Sequence, residues 1–106
     1  MAAQSAQSEL LTLLKLQLII STSAIDTLLT QKIDAAKDMI KHEGAVLPDA
    51  ESNYTAEDRE LVVGYAAYLY RKGKSDDTVF PRWLRWSLNN RVLHDRAQAG
   101  GDSDAV

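Results

Sequence analysis

The placement of proline and of the apolar residues constrains the fold of this chain more than any other feature of its sequence. Proline occurs only at Pro48 and Pro81, whereas an all-β fold would need turn signals about every 8–12 residues. Apolar residues recur at steps of three and four along most of the chain, which is the spacing of one face of an α-helix. The sequence therefore predicts an all-α fold, a small bundle of about four helices with flexible termini.

The second helical segment shows the pattern most clearly, since its apolar residues fall at steps of four, four, three and four. Ser23 and Asp26 have the spacing of a capping box at its start, and Gly44 suits the left-handed residue that ends a helix. Thr55, which precedes acidic residues, is the predicted N-cap of the third helix. The apolar residues of the second segment are Ile25, Leu29, Ile33, Ala36 and Ile40. The four predicted helices lie near residues 8–18, 23–43, 55–73 and 81–96, with ends uncertain by ~2–4 residues.

The first helical segment contains more leucine than one helical face requires. Its six leucines between Leu10 and Leu18 predict that two faces are covered, one by the core and one by something else. Short apolar runs also fit a strand, so an extended strand at Leu16–Ile20 remains an alternative.

The last helix has two predicted apolar stripes. Pro81 suits its first position, and Leu84, Leu88 and Val92 recur at steps of four as the predicted core stripe. One tryptophan can fill the core, and we expect the other at the rim of an interface. The neighbouring stripe consists of Trp83, Trp86, Asn90 and Leu93.

The composition excludes several kinds of site. The chain has no cysteine, so it forms neither disulfides nor thiolate sites. Its two histidines, His42 and His94, fall near predicted helix ends and lack acidic residues at metal-site spacing. No glycine-rich phosphate loop or nucleophile motif occurs. We therefore expect no metal, no cofactor and no enzymatic activity.

The length of 106 residues is that of one domain. We predict a single helical domain over residues 1–97 and a flexible tail over residues 98–106, where small and polar residues dominate. The start of the chain lacks the basic region of a secretory signal. The leucine-rich run Leu10–Ile20 is interrupted by polar residues and is shorter than the ~20 apolar residues of a membrane span, so we expect no membrane association.

The two halves of the chain differ in charge. Residues 1–60 carry five cationic residues against ten acidic ones, for a net charge of −5. Residues 61–106 carry seven cationic residues against five acidic ones, for a net charge of +2. A small subunit with both an acidic and a basic surface is suited to head-to-tail association, because the acidic surface of one copy can meet the basic surface of the next.

Large and cationic side chains on the last helix exceed what one core stripe can use. Tryptophan and arginine are enriched at interface hot spots, and paired amides in mid-helix suit contacts with another subunit. The candidate interface is Arg71, Arg82, Trp83, Arg85, Trp86, Asn89, Asn90 and Arg91. An alternative is a small helical DNA-associated regulator, whose phosphate contacts would be Arg82, Arg85 and Arg96.

Three segments in order resemble the head–tail connector (adaptor) proteins of tailed bacteriophages. They are T-L-L-T-Q-K-I-D-A-A-K-D-M-I-K at 27–41, L-V-V-G-Y-A-A-Y-L-Y-R at 61–71, and P-R-W-L-R-W-S-L-N-N-R at 81–91. The resemblance covers roughly residues 10 to 93.

The resemblance implies a structural virion protein whose mechanism is assembly. Such a protein forms a homo-oligomeric ring, twelvefold to match the portal, beneath the portal protein. The ring extends the channel through which genomic DNA passes without sequence-specific binding, and it docks the next neck or tail completion protein. The protein would be made in the host cytoplasm and reside in the virion neck. A ring needs one surface for each neighbour, and the candidates are the leucine surplus of the first helix and the Arg/Trp face of the last.

Overall fold

A computed structural model describes the backbone of residues 2–104 and the side chains of residues 9–98. The described backbone contains four α-helices and no strand, which confirms the all-α prediction. A short 3-10 turn, Glu51–Asn53, lies in the connection between the second and third helices. The helices are α1 (Ala2–Leu18), α2 (Asp26–Glu43), α3 (Ala56–Lys74) and α4 (Arg82–Asp104).

The central helix of the bundle is α3, because α1, α2 and α4 all pack against it. Seven consecutive residues of α3, 61–67, are buried. The predicted apolar faces reach the core as expected: four of the five positions on α2 and all three on α4 are buried. The loop before α3 also contributes, since Ala45, Leu47 and Tyr54 are buried although no periodic pattern marks them.

The caps of the helices agree with the sequence at two of three positions. Thr55 and Asp58 form a reciprocal capping box, with N–H···O distances of 3.2 Å and 2.9 Å. Gly44 ends α2 at a left-handed φ of 111°. The predicted capping box of Ser23 and Asp26 is wrong: Ile25 occupies the N-cap without a side-chain hydrogen bond. The Asp26 carboxylate instead lies 2.9 Å from the Lys15 ammonium group.

The alternative of a strand at Leu16–Ile20 is also wrong, because α1 continues to Leu18. The next residue, Ile19, has a left-handed φ of 58° and is 92% exposed. The Ile19 and Ile20 amides donate to the carbonyls of Leu16 and Lys15, at 3.2 Å and 2.8 Å. This is the Schellman pattern that usually employs glycine, and β-branched residues rarely adopt such a φ.

The end helices are longer than predicted, since α1 begins at Ala2 and α4 continues to Asp104. Arg71, predicted in the third helix, lies near the end of α3 and is exposed. The flexible termini, including the tail at residues 98–106, fall almost entirely outside the residues whose side chains are described, and they stay predictions.

Candidate assembly interface

Helix α4 has a buried face and an exposed face, and both are apolar. Leu84 and Leu88 are fully buried and Val92 is nearly so. Trp86 and Leu93 are 69% and 63% exposed. At about 100° per residue, Trp86 and Leu93 point about 160° and about 140° away from the centre of the buried stripe. The exposed apolar face therefore contributes little to the core of a single subunit.

The two tryptophans differ in their surroundings. Trp83 is half-buried, because its ring lies over Gly64 of α3: a Cβ atom added there would be 2.7 Å from Cη2 of the indole. Glycine at this position lets the ring approach the α3 backbone. Trp86 projects into solvent. Neither tryptophan fills the core, because even Trp83 is 44% exposed, and the placement of the other at the rim of an interface stays a prediction.

The exposed face of α4 repeats at coiled-coil spacing. Trp83, Trp86, Asn90, Leu93 and Ala97 follow one another at steps of three, four, three and four, and all five are exposed. Such a seam is what one helix presents to a partner helix, and an asparagine within it can fix the register of the pair. We call these five residues the α4 seam.

Charged residues border the α4 seam unequally. Arg82 and Arg96 are exposed and form no ion pair within the described part of the chain. Arg85 instead donates to Glu43 of α2 at 2.7 Å, and its guanidinium lies 4.5 Å from the centre of the Phe80 ring. Asn89 is exposed on the side of the seam that bears Arg82 and Arg96. The flank open to a partner is therefore cationic.

Arg91 occupies a different position from the other candidate residues. It lies on the core side of α4, and its side chain is only 13% exposed. Its Nη1 donates to Asp58 at 2.6 Å, its Nη2 to the carbonyl of Val46 at 2.7 Å, and its Nε to Asp95 at 3.1 Å. Asp95 also accepts from the Val46 amide at 2.7 Å. This cluster joins α4 to the start of α3 and to the preceding loop.

Asp58 carries the buried negative charge of the cluster and is only 2% exposed. Burial by itself raises the pKa of this carboxyl group. The hydrogen bonds from the Thr55 backbone and the Arg91 guanidinium outweigh burial and lower the pKa of Asp58 below its ordinary value. The carboxylate therefore stays ionised at neutral pH and paired with Arg91.

Sequence reasoning placed Arg91 with the interface residues and treated Asp58 only as an acid in a first turn. Both positions carried a signal. Thr55 and Asp58 have capping-box spacing. Leu84, Leu88, Arg91 and Asp95 also recur at steps of four, three and four, which places an Arg–Asp pair on the buried stripe. What no local pattern shows is that the two signals meet in space.

Among the described residues, no group of three or more His, Cys, Asp or Glu side chains could hold a metal ion. No described helix is both long and apolar enough to cross a membrane. Comparisons of the chain with protein-family models, curated proteins and solved structures find no match.

Proposed function

We propose that this protein is a structural assembly subunit that packs against a neighbouring subunit through the α4 seam, and that it serves as a head–tail connector in a tailed-phage virion. The α4 seam carries the proposal. It is an apolar stripe of helix-pairing spacing, in which Trp83 packs partly on Gly64 and Trp86 and Leu93 point away from the core of their own subunit. Contiguous exposed tryptophan and leucine of this kind are typical of protein–protein contacts.

The connector assignment is supported by the resemblance of the three ordered segments. In that role the subunits form a closed ring beneath the portal protein, twelvefold to match it, with genomic DNA passing through the channel. The opposite face of the ring docks a neck or tail completion protein. The protein then resides at the head–tail junction of the virion and works by assembly without chemistry.

Binding of the purified protein to portal rings tests this role directly. Electron microscopy of the mixture should show added density beneath the portal, and the protein should co-sediment with portal. Trp86→Ala should abolish both while retaining the helical dichroism of the parent, because Trp86 adds little to the core. Removing a tryptophan from a packed interface typically costs ~2 kcal/mol or more of binding.

The matched control is Val79→Ala, an equally exposed apolar residue in the loop before α4. We expect it to bind portal as the parent does. Trp83→Ala is a weaker test, since Trp83 packs on Gly64 and its removal should also lower stability. Unchanged portal binding by Trp86→Ala, Arg82→Ala and Leu93→Ala together would refute α4 as the assembly surface.

The alternative function, a DNA-associated regulator, uses the cationic residues of α4. Of its proposed phosphate contacts, Arg85 already pairs with Glu43. Arg82 and Arg96 remain for such contacts. The regulator would bind duplex DNA with an affinity that falls steeply with salt, whereas a connector subunit should bind portal and show no such DNA affinity. Filter binding at two salt concentrations separates the two proposals.

A further inference from the structure

A shallow groove lies between α1 and α3 and has an apolar floor. Its volume is about 230 Å³, and it is lined by Leu13 and Gln17 of α1 and by Ala56, Arg59, Glu60 and Val63 of α3. Leu16, on the same side of α1 as Leu13, is 70% exposed. The leucines that α1 carries beyond the needs of its own core therefore extend this apolar surface outward.

The charges around the groove are mainly negative. Glu60 lines it and forms no ion pair within the described part of the chain. Glu9 of α1 has a side chain that is 56% exposed, and it lies beside Arg59. Arg59, the cation that lines the groove, is already engaged by Glu9 at 3.4 Å and by the Tyr54 carbonyl at 3.0 Å.

The cationic flank of the α4 seam complements the exposed Glu60 at this groove, whereas it does not complement a second α4 seam or the groove between α2 and α3. In an antiparallel pair of α4 helices, Arg82 of one copy would face Arg96 of the other. A parallel pair would place Ser87, not an acid, beside Arg82 and His94 beside Asn89. The groove between α2 and the end of α3 is bordered by Lys32 and Lys74, so it too would repel the flank.

We propose that the α4 seam of one copy docks into the α1–α3 groove of the next copy, with Trp86 over the apolar floor and Arg82 facing Glu60. This inference rests on the proposed assembly function and names the surface that receives the seam. No residue of the α4 seam lines the groove. One subunit can therefore use both at once, which is the requirement for a head-to-tail ring.

Cysteine cross-linking between differently tagged copies tests the contact, because the chain has no native cysteine. One copy carries Asn90→Cys on the seam and the other carries Gln17→Cys on the groove. With a short bismaleimide reagent, we expect the Asn90→Cys and Gln17→Cys copies to give a cross-linked heterodimer. Its yield should be several-fold higher than the yield from a control pair in which Val79→Cys replaces Asn90→Cys. Asp38→Cys, on the exposed outer face of α2, is the alternative acceptor.

Charge reversal gives an independent measurement. Glu60→Lys should weaken self-association roughly tenfold or more, as sedimentation measures it, and adding Arg82→Glu to the same chain should restore part of the loss. Asp34→Lys, at an exposed position of α2, is the matched control. It should leave the Kd of self-association within about twofold of the wild-type value. An unchanged Kd in Glu60→Lys, or no recovery in the double variant, overturns the inference.

The outcomes separate this inference from the proposed function. If 90–90 or 90–38 cross-links predominate, the groove assignment is wrong and α4 is still an assembly surface. If wild-type protein stays monomeric at every concentration and the Asn90→Cys copy forms no cross-link above the Val79→Cys background, the contact between copies does not exist. If it also fails to bind portal, the assembly function falls with it.

Discussion

Replacing Asp58 with asparagine tests how α4 is held on the subunit. The carboxylate is buried and accepts two hydrogen bonds, from the Thr55 amide at 2.9 Å and from Arg91 at 2.6 Å. Asparagine can keep the bond from Thr55, but its amide cannot replace the charged acceptor that Arg91 requires. One charge-assisted bond is lost, at about 1.5–3 kcal/mol.

The expected loss lies below that for a fully unpaired buried charge, which is about 3–5 kcal/mol. Arg91 retains Asp95 and the Val46 carbonyl. We therefore expect Asp58→Asn to lower the free energy of unfolding by about 2–3 kcal/mol, a large share of the ~5–15 kcal/mol typical of a domain. Urea unfolding followed by far-UV dichroism measures this value. Asp34→Asn, an exposed aspartate on α2, should change it by less than about 0.5 kcal/mol.

A double-mutant cycle isolates the pair itself. Arg91→Met removes the guanidinium and keeps an apolar stem of similar length. If Asp58 and Arg91 are coupled as the geometry indicates, the double variant should lose at least ~1 kcal/mol less than the sum of the two single losses. If the losses of the two single variants add up to the loss of the double variant, Asp58 and Arg91 are not coupled. If Asp58→Asn has the wild-type free energy of unfolding, the carboxylate does not stabilise the fold.

The same pair predicts a pH dependence with a defined sign. Because the pKa of Asp58 is lower in the folded protein than its ordinary 3.8, the unfolded chain binds its proton first as the pH falls. The stabilisation is fully present above about pH 5 and is lost progressively as the pH falls through the folded-state pKa. The difference in free energy of unfolding between wild type and Asp58→Asn should thus be constant near neutrality and shrink below about pH 4.

Two further predictions concern backbone sites. Ile19 and Gly44 occupy the same left-handed helix-ending position, so Ile19→Gly should raise the free energy of unfolding by about 0.5–1 kcal/mol and Gly44→Ala should lower it by about 1–2 kcal/mol. Thermal melts should show a higher Tm for Ile19→Gly and a lower Tm for Gly44→Ala, and a shift of both Tm values in the same direction would contradict the prediction. Gly64→Ala should destabilise the wild type, because its Cβ would meet the Trp83 ring at 2.7 Å. In a Trp83→Ala background the same change should instead stabilise by up to ~1 kcal/mol, the helix-propensity gain, and a loss in both backgrounds would show that the indole is not the obstacle.

The core of this fold could be predicted because it depends on local spacing. Leu29, Ile33 and Ile40 repeat at helical steps, and any structure that buries one of them buries the others. The cap at Thr55 could be predicted for the same reason. The start of α2 could not be predicted in this way. The Asp26 carboxylate pairs with Lys15 of α1 and does not cap α2, and only the tertiary structure brings these two residues together.

Interface residues were harder to predict, because exposure and ion pairing are properties of the whole molecule. The sequence showed that α4 carries more arginine than its core needs, but it could not show which arginines have partners within the chain. Glu43 lies 42 residues before Arg85 and Asp58 lies 33 before Arg91. Only the tertiary structure brings α4 within reach of Glu43 at the end of α2 and Asp58 at the start of α3.

That division of the arginines has a consequence for how the α4 seam can act. Arg85 and Arg91, with Leu84 and Leu88, fix the helix on its own subunit. Trp86 lies on the opposite side of the same helix. Because the helix is already held in place, presenting Trp86 to a partner requires little ordering of backbone on association, and such preorganisation favours affinity. A variant that breaks the Asp58–Arg91 pair should therefore weaken assembly through a less well-held α4, whereas Trp86→Ala should weaken assembly with α4 unchanged. Portal binding together with the free energy of unfolding distinguishes the two effects: the first variant changes both measurements, and the second changes only portal binding.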